Sequence, residues 1–230
     1  MTAATRTRKE LKAQTLVGAA LEYPGSAGIT CSFQAGGIAL LSIIRRFQPD
    51  IPVLFVDTGL HFPETYAFRD RLAGEWDLNL VNITPDHGPG DGLTDDLPFT
   101  NPDLCCQLRK VDPLVRALAD YDIWFTALRR DQAPTRAETP RIDRYRLPAG
   151  KQLIKVNPIG DWTWEEVLEF SRANHLPLHP LHAAGYPSIG CAPCTALPAD
   201  PGDTRSGRWN GTKTECGIHP PNGKAPACGP

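Results

Sequence analysis

The sequence predicts an α/β protein, a mostly parallel sheet flanked by helices with a loop-rich C-terminal segment. Three observations predict it. Short β-capable runs alternate with helix-spaced runs through the first 175 residues, the pattern of strands crossing over through helices. Residues 52–56 are apolar throughout and end in Asp57-Thr58-Gly59, as an interior parallel strand does when a functional loop leaves its carboxyl end. The 23 prolines gather late in the chain, which predicts few regular elements there. The chain thus reads as an α/β part over 1–175 and a loop-rich segment over 176–230 within a single overall domain.

In order, residues 5–21 carry Leu11, Leu16, Val17, Ala20 and Leu21 at helical spacing,. Residues 28–33 form a first strand, and 38–47 a buried helix after Gly36 and Gly37. A second strand covers 52–56. A helix covers 63–72, with Pro63 suited to its first turn. Residues 77–83 form a third strand. Asp, Gly, Pro and Thr dominate 84–104, which predicts a long loop. Residues 107–119 are amphipathic but interrupted or kinked by Pro113. A fourth strand covers 122–128, and 141–156 suggests a β-pair. Residues 163–174 are a helix with a capping box, Thr163 as N-cap and Glu166 three residues on. Beyond Pro177 no element is predicted.

Composition excludes several classes. Hydrophobic residues make up 41%, enough for a core and against wholesale disorder. A net charge of -2 argues against a bulk nucleic-acid binder while allowing a local basic site. No apolar run reaches membrane-spanning length. Residues 1–12 lack the apolar stretch of a secretory leader. Seven cysteines without an export signal suggest metal, cluster or redox use in a reducing compartment.

The cysteines carry the strongest signal. Cys105 and Cys106 are adjacent, and Cys191 and Cys194 form C-x-x-C. Four thiolates in two pairs can bind zinc or an iron–sulfur cluster. Neighbouring residues point apart, so binding one small ion through both strains the chelate. A four-iron cube accepts them at separate corners. The spacing favours the cluster, with zinc and free redox thiols as alternatives. Cys31, in an apolar strand, reads as a small buried hydrophobe. Cys216 lies in the polar stretch Lys213-Thr214-Glu215-Cys216-Gly217-Ile218-His219. There it is either a surface thiol or a nucleophile whose pKa Lys213 and His219 would lower.

Anion-binding candidates cluster at predicted strand ends. Ser32-Phe33-Gln34-Ala35-Gly36-Gly37 separates a strand from a helix, where backbone amides can face an anion. It is neither a Walker motif nor a dinucleotide fingerprint. Arg129 and Arg130 follow the fourth strand. Eight bases stand against three acids between Arg129 and Lys155. Arg205 and Arg208 precede Cys216, and forked guanidinium groups suit phosphate and sulfate oxygens.

Together these motifs resemble the assimilatory, thioredoxin-dependent adenylyl-sulfate reductases, in the wider adenosine-phosphosulfate and phosphoadenosine-phosphosulfate reductase family. The resemblance spans residues 30–219. It rests on Ser32-Phe33, Asp57-Thr58-Gly59, Phe62-Pro63-Glu64-Thr65, Cys105-Cys106-Gln107-Leu108-Arg109-Lys110-Val111 and Leu128-Arg129-Arg130-Asp131-Gln132. It continues through Asp161-Trp162-Thr163, His179-Pro180-Leu181-His182, Gly190-Cys191-Ala192-Pro193-Cys194, Arg205-Ser206-Gly207-Arg208-Trp209 and Glu215-Cys216-Gly217-Ile218-His219. Gln34-Ala35-Gly36-Gly37 and Ala127 depart from the common family pattern, and Cys228 has no counterpart.

The resemblance implies an adenine nucleotide α-hydrolase-like (Rossmann-like) fold, a [4Fe–4S] cluster on Cys105, Cys106, Cys191 and Cys194, and Cys216 as the catalytic thiol. It implies that Ser32, Asp57, Thr58, Gly59, Arg109, Lys110, Arg129, Arg130, Arg205, Arg208 and His219 bind substrate. The expected reaction is reduction of adenylyl sulfate to sulfite and AMP, with thioredoxin as donor, in cytoplasmic sulfate assimilation. Lys110, Arg205, Arg208 and His219 are the expected cations facing the sulfate. Neither nucleic acid nor membrane is expected as a partner, and a homo-oligomer is compatible with the sequence. The rival readings are reduction of the 3′-phosphorylated substrate, a zinc-stabilised nucleotide-binding module without turnover, and an adenylyltransferase or ligase of the same broad fold.

Overall fold

A computed structural model describes residues 3–86, 93–200 and 203–219. Cys228 lies outside the described residues. Chain order runs α1 (Ala3–Leu21), β1 (Ala27–Thr30), α2 (Ala35–Ile44), β2 (Val53–Val56), α3 (Pro63–Glu75), β3 (Leu80–Ile83), α4 (Leu97–Thr100), α5 (Pro102–Cys106), α6 (Asp112–Ala117), β4 (Ile123–Phe125), β5 (Ile142–Arg146), β6 (Gln152–Val156), α7 (Trp164–Ala173) and α8 (Pro180–Ala183). Strand order in the single sheet is β3-β2-β1-β4-β6-β5. Every neighbouring pair is parallel except β5 with β6.

The central strands are buried on both faces, as parallel strands under crossover helices must be. On β2, Val53 and Phe55 enter the core shared with α1, α2, α3 and α7, while Leu54 faces the opposite core beneath α6. On β4, Ile123 and Phe125 take the first side and Trp124 the second. Helix α2 is apolar almost all round, and nine of its ten residues are buried. That composition suits a helix enclosed by the sheet, α1 and α7.

Helix α7 starts at the predicted box. Thr163 Oγ1 accepts from the Glu166 amide at 3.3 Å, and Glu166 Oε2 accepts from the Thr163 amide at 2.8 Å. Lys9 donates to the same carboxylate oxygen at 2.8 Å and to the Asp161 carbonyl at 2.7 Å, which pins α1 beside that helix start.

The differences from the sequence expectation lie around one end of the sheet. β1 stops at Thr30 and β4 at Phe125, short of the predicted 33 and 128, because both chains peel away to wall a cavity. β3 begins at Leu80 rather than 77. The predicted loop over 84–104 contains α4 and α5. Each has a proline in its first turn, and Asn101 Oδ1 caps α5 by accepting from the Leu104 amide at 3.0 Å. Between α5 and α6 the helix widens to a π-turn over Gln107–Val111, with the Asp112 amide bonding the Gln107 carbonyl. Pro113 has no N–H for the Arg109 carbonyl, and the wide turn sits directly before it. The turn aims Arg109 and Lys110 inward, where both are buried. Past 177, the short α8 forms where no element was predicted.

Among the described residues no helix is long and apolar enough to cross a membrane.

Candidate active site

The sheet reverses direction of growth between β1 and β4, so a crevice opens beyond their carboxyl ends, as such switch points dictate. A cavity of about 280 Å³ occupies that position. Ser32, Gln34, Gly36 and Gly37 wall it on the β1 side, and Thr126–Arg129 on the β4 side. Gln34 precedes α2 but does not cap it. Its amide instead grips Ile189, donating to the carbonyl at 2.7 Å and accepting from the N–H at 3.1 Å. The first turn of α2 thus remains open towards the cavity. Arg129 is 4% exposed, anchored by Asp131 at 2.9 Å and lying over the Trp164 ring. A Cβ at Gly36 would sit 3.0 Å from the Arg129 guanidinium, so glycine there makes room for the arginine.

The opposite wall is built from the C-terminal segment. Arg205, Arg208, Cys216, Ile218 and His219 reach the cavity, and Lys110 enters from the π-turn. Arg208 is buried, donating to the Cys194 carbonyl at 3.2 Å and lying 4.6 Å over the Trp209 ring. A Cβ at Gly190 would overlap its guanidinium. Arg205 donates to the Thr214 carbonyl at 2.8 Å.

The two cysteine pairs converge just behind Lys110. Cys106, Cys191 and Cys194 pack together under Trp209 with Cys216 alongside, and the Cys105 thiol is electrostatically coupled to Cys106 and Cys191. All four are buried. Burial pushes Cys105 and Cys106 up and takes Cys194 to about 11, with neighbouring thiolates adding to the rise. Cys191 is the exception. Burial alone would raise it, but Lys110, the 3.2 Å contact with Thr58 Oγ1 and Arg208 bring it below the ordinary thiol value. Burial works against the Lys110 ammonium too, yet Cys191, Cys216 and Cys106 outweigh it and raise the lysine. Lys110 is therefore a buried cation shared by the cysteine centre and Cys216.

Among the described residues no three His, Cys, Asp or Glu side chains are grouped to hold a metal ion. Four soft thiol donors gathered in a buried cluster are a donor set that an iron–sulfur group accepts.

Several residues proposed for substrate stand elsewhere. Asp57 is engaged by Tyr66 at 2.7 Å, the Gly59 amide at 3.0 Å and Arg69 at 3.4 Å. Thr58 is fully buried against Cys191 rather than on the cavity wall. Gly59, with φ of 73°, turns that loop. Arg109 donates to the Thr58 carbonyl at 3.0 Å and lies by the cysteines. Thr58 and Arg109 adjoin the cysteine centre, while Asp57 and Gly59 shape the loop after β2, whose His61 pairs with Cys191. Arg130 points outward and holds the Thr139 carbonyl at 2.9 Å. Of the adjacent pair, Arg129 is the one facing inward. Cys31 is a buried thiol pushed up to about 12 by desolvation.

The surroundings of Cys216 also differ from expectation. Lys213 is drawn away to Asp103 at 2.5 Å and to the Trp209 ring. His219 stacks on Trp124 with ring centres 5.4 Å apart. Desolvation, then Lys155, Arg136 and Arg205, hold it well below the ordinary histidine value. It is neutral near pH 7 and adds hydrogen-bonding capacity, not charge. Lys110, Arg205 and Arg208 are the cations coupled to Cys216.

Sequence reasoning missed Arg136, Gln132 and His61, all on the cavity wall. Arg136 lay within the basic stretch after Arg129, but its partner Glu215 is 79 residues away, beyond any local pattern.

The phosphoadenosine phosphosulfate reductase domain model matches residues 27–197. A protein named adenosine 5′-phosphosulfate reductase from Mycobacterium tuberculosis is 46% identical over 184 residues, covering 78% of this chain and 71% of its own. One of the same name from Geobacillus kaustophilus is 42% identical over 207 residues, covering 86% and 85%. The crystal structure of a phosphoadenylyl-sulfate (PAPS) reductase from Candida auris, a phosphate complex, superposes with a TM-score of 0.67 at 24% identity, covering 84% of this chain and 96% of that one.

Proposed function

The chain belongs to the phosphoadenosine phosphosulfate reductase family, and we propose that it reduces adenosine 5′-phosphosulfate to sulfite and AMP, with Cys216 as the nucleophile. One observation carries this reading. Cys216, Lys110, Arg205 and Arg208 share one cavity with the nucleotide-sized crevice at the β1/β4 switch point.

The adenosine end lies against the β1 and β4 walls, where ligands of such sheets bind. The phosphosulfate faces Arg205, Arg208 and Lys110. Repulsion between two unit charges about 4 Å apart is near 4 kcal/mol at surface-like screening, so cations fixed at the meeting point of two anions matter to the rate. The Cys216 thiolate attacks the sulfonyl sulfur. A sulfur–sulfur bond forms, the sulfur–oxygen bond to the phosphate breaks, and AMP leaves with the electron pair. The enzyme then carries an S-sulfocysteine. A thiolate of a thioredoxin-type donor attacks Cys216 Sγ, and sulfite leaves with the electron pair of the bond broken. The donor's second thiol resolves the mixed disulfide, leaving the donor oxidised and Cys216 reduced.

Cys105, Cys106, Cys191 and Cys194 would hold a [4Fe–4S] cluster. When bound, it supplies fixed local charge and order rather than electrons, because the donor dithiol already provides both. Changing any of the four to Ser should lose iron and sulfide together, since a hydroxyl is a poor soft-metal ligand. The reduced thiols suit a cytoplasmic setting.

Anaerobic assay of the purified protein with thioredoxin and sulfite detection tests the function. Sulfite from adenosine 5′-phosphosulfate is the expected result. No sulfite, or preference for the 3′-phosphorylated nucleotide, would overturn it.

A further inference from the structure

Glu215, immediately before the candidate nucleophile, is held by three donors from one loop and one neighbour. Arg136 Nε donates to Oε1 at 2.7 Å and Arg136 Nη2 to Oε2 at 2.6 Å, a two-pronged pair. Thr135 Oγ1 adds a bond to Oε1 at 2.9 Å. Arg205 stands 3.7 Å from Oε2. Burial opposes the Glu215 carboxylate, but Arg136, Arg205 and Thr135 together hold it below its ordinary value. Arg136 Nη1 also donates to Gln132 Oε1 at 2.6 Å, and that oxygen accepts from the Arg129 amide at 3.0 Å. The residue carrying the nucleophile's neighbour is thus tied, through two side chains, to the backbone of the arginine that walls the nucleotide crevice. On the other flank, Lys213 is tied to Asp103 of α5.

Resting on the function proposed above, we propose that Glu215, clamped by Arg136 and Thr135, is a positioning residue that seats Cys216 over the cavity. The physical case is one of geometry. A bidentate guanidinium–carboxylate pair fixes direction as well as distance. A displacement of the reacting sulfur by about 1 Å can cost on the order of 100-fold in rate. Regular secondary structure does not hold the segment: from Thr212 to His219 no helix or strand forms. Its position rests on side-chain anchors, and Glu215 has the largest number of polar ones.

The test separates positioning from thiol activation. Glu215→Gln protein is exposed to adenosine 5′-phosphosulfate without donor, and sulfonate on Cys216 is timed by mass spectrometry. In parallel, Cys216 alkylation by a maleimide is timed. Cleavage after Lys213 and Lys224 places Cys216 and Cys228 in separate peptides. Sulfonation is expected to slow roughly tenfold to hundredfold, while alkylation speeds up, because an unseated thiol is misaligned for substrate yet more open to solvent. AMP affinity, which reports the crevice and the fold, stays within about twofold. Thr135→Val is the second variant, with the same opposed changes at roughly two- to tenfold, smaller because the two-pronged Arg136 pair remains. Both rates falling together, or neither moving, would overturn the assignment. If wild-type Cys216 takes up no sulfonate at all, the proposed reaction fails, and the alkylation rates alone still decide whether Glu215 seats the tail.

Discussion

Arg129 and Arg208 are both buried in the wall of one cavity, yet the chain delivers them by different means. Arg129 leaves the end of a central strand, with two apolar cores beneath it and Asp131 beside it. Arg208 sits in a segment of turns, held by the Cys194 carbonyl, Trp209 and the space left by Gly190. The nucleotide side is positioned by the fold as a whole. The cysteine side is positioned by a few charged contacts and buried thiols gathered from three distant stretches. The first arrangement is insensitive to any one polar contact. The second concentrates chemistry where single residues decide the outcome.

That contrast can be broken at four points. Cys216→Ser should reduce sulfite production by on the order of 1000-fold or more, as loss of a covalent nucleophile does. AMP affinity and iron content should be unchanged. Near-normal sulfite production would move the nucleophile elsewhere, with Cys228 as the first candidate. Leu40→Ala, at a fully buried position of α2, should destabilise the protein by about 2–5 kcal/mol in urea unfolding. A smaller loss would mean that the crevice side does not depend on this core. Arg208→Ala should weaken adenosine 5′-phosphosulfate by about 1.5–3 kcal/mol in calorimetry, the range for hydrogen bonds to charged groups, with less effect on AMP, which lacks the sulfonate. Equal losses for both ligands would place Arg208 on the phosphate instead.

The smallest effect is pH-dependent. His179 Nδ1 accepts from the Leu181 amide at 3.2 Å and Nε2 meets Thr65 Oγ1 at 3.0 Å. Desolvation, followed by His182, lowers it from 6.5 to about 4. The unfolded chain therefore binds this proton before the folded one does. Its contribution is fully present above pH 6.5 and is lost as pH falls towards 4,. The melting temperature should drop through that window. Glu215 is held below its ordinary value by Arg136 and Arg205, so the loss across this window is assigned to His179 and not to the Glu215 clamp. A melting temperature that is flat between these limits, or one whose fall survives His179→Gln, would erase the distinction between the two regions.

Much of the fold was legible. Apart from α4 and α5, the helix and strand order through Ala173 followed from periodicity, and the capping box at Thr163 formed as read. The misses share a cause. The strands after residues 30 and 125 continue to look β-capable, but no neighbour remains to pair with them where the crevice opens. The interruption read at Pro113 formed as a π-turn over 107–111, but that it would turn Arg109 and Lys110 inward was not readable locally. In the site, the paired cysteines stood out by their spacing and Cys216 by its polar, basic setting, and the structure brings these thiols into one neighbourhood. Asp57, Thr58, Gly59 and Arg130 were assigned by proximity to strand ends and Arg109 by the motif resemblance; Gly59 turns its loop, and the other four side chains engage other partners.

The sequence by itself determined the alternation of strands and helices, the two-faced burial of the central strands, and which residues bring thiols and guanidinium groups to the chain. Those properties depend on local periodicity and residue type. Only the tertiary structure decided which of two adjacent arginines faces inward, that His219 is neutral, that Lys110 is coupled to both the cysteine centre and Cys216, and that Glu215 is clamped by Arg136. Each depends on desolvation and on charges brought close from far along the chain. Coulomb energies and hydration change steeply over a few ångströms, a scale on which sequence separation carries no information.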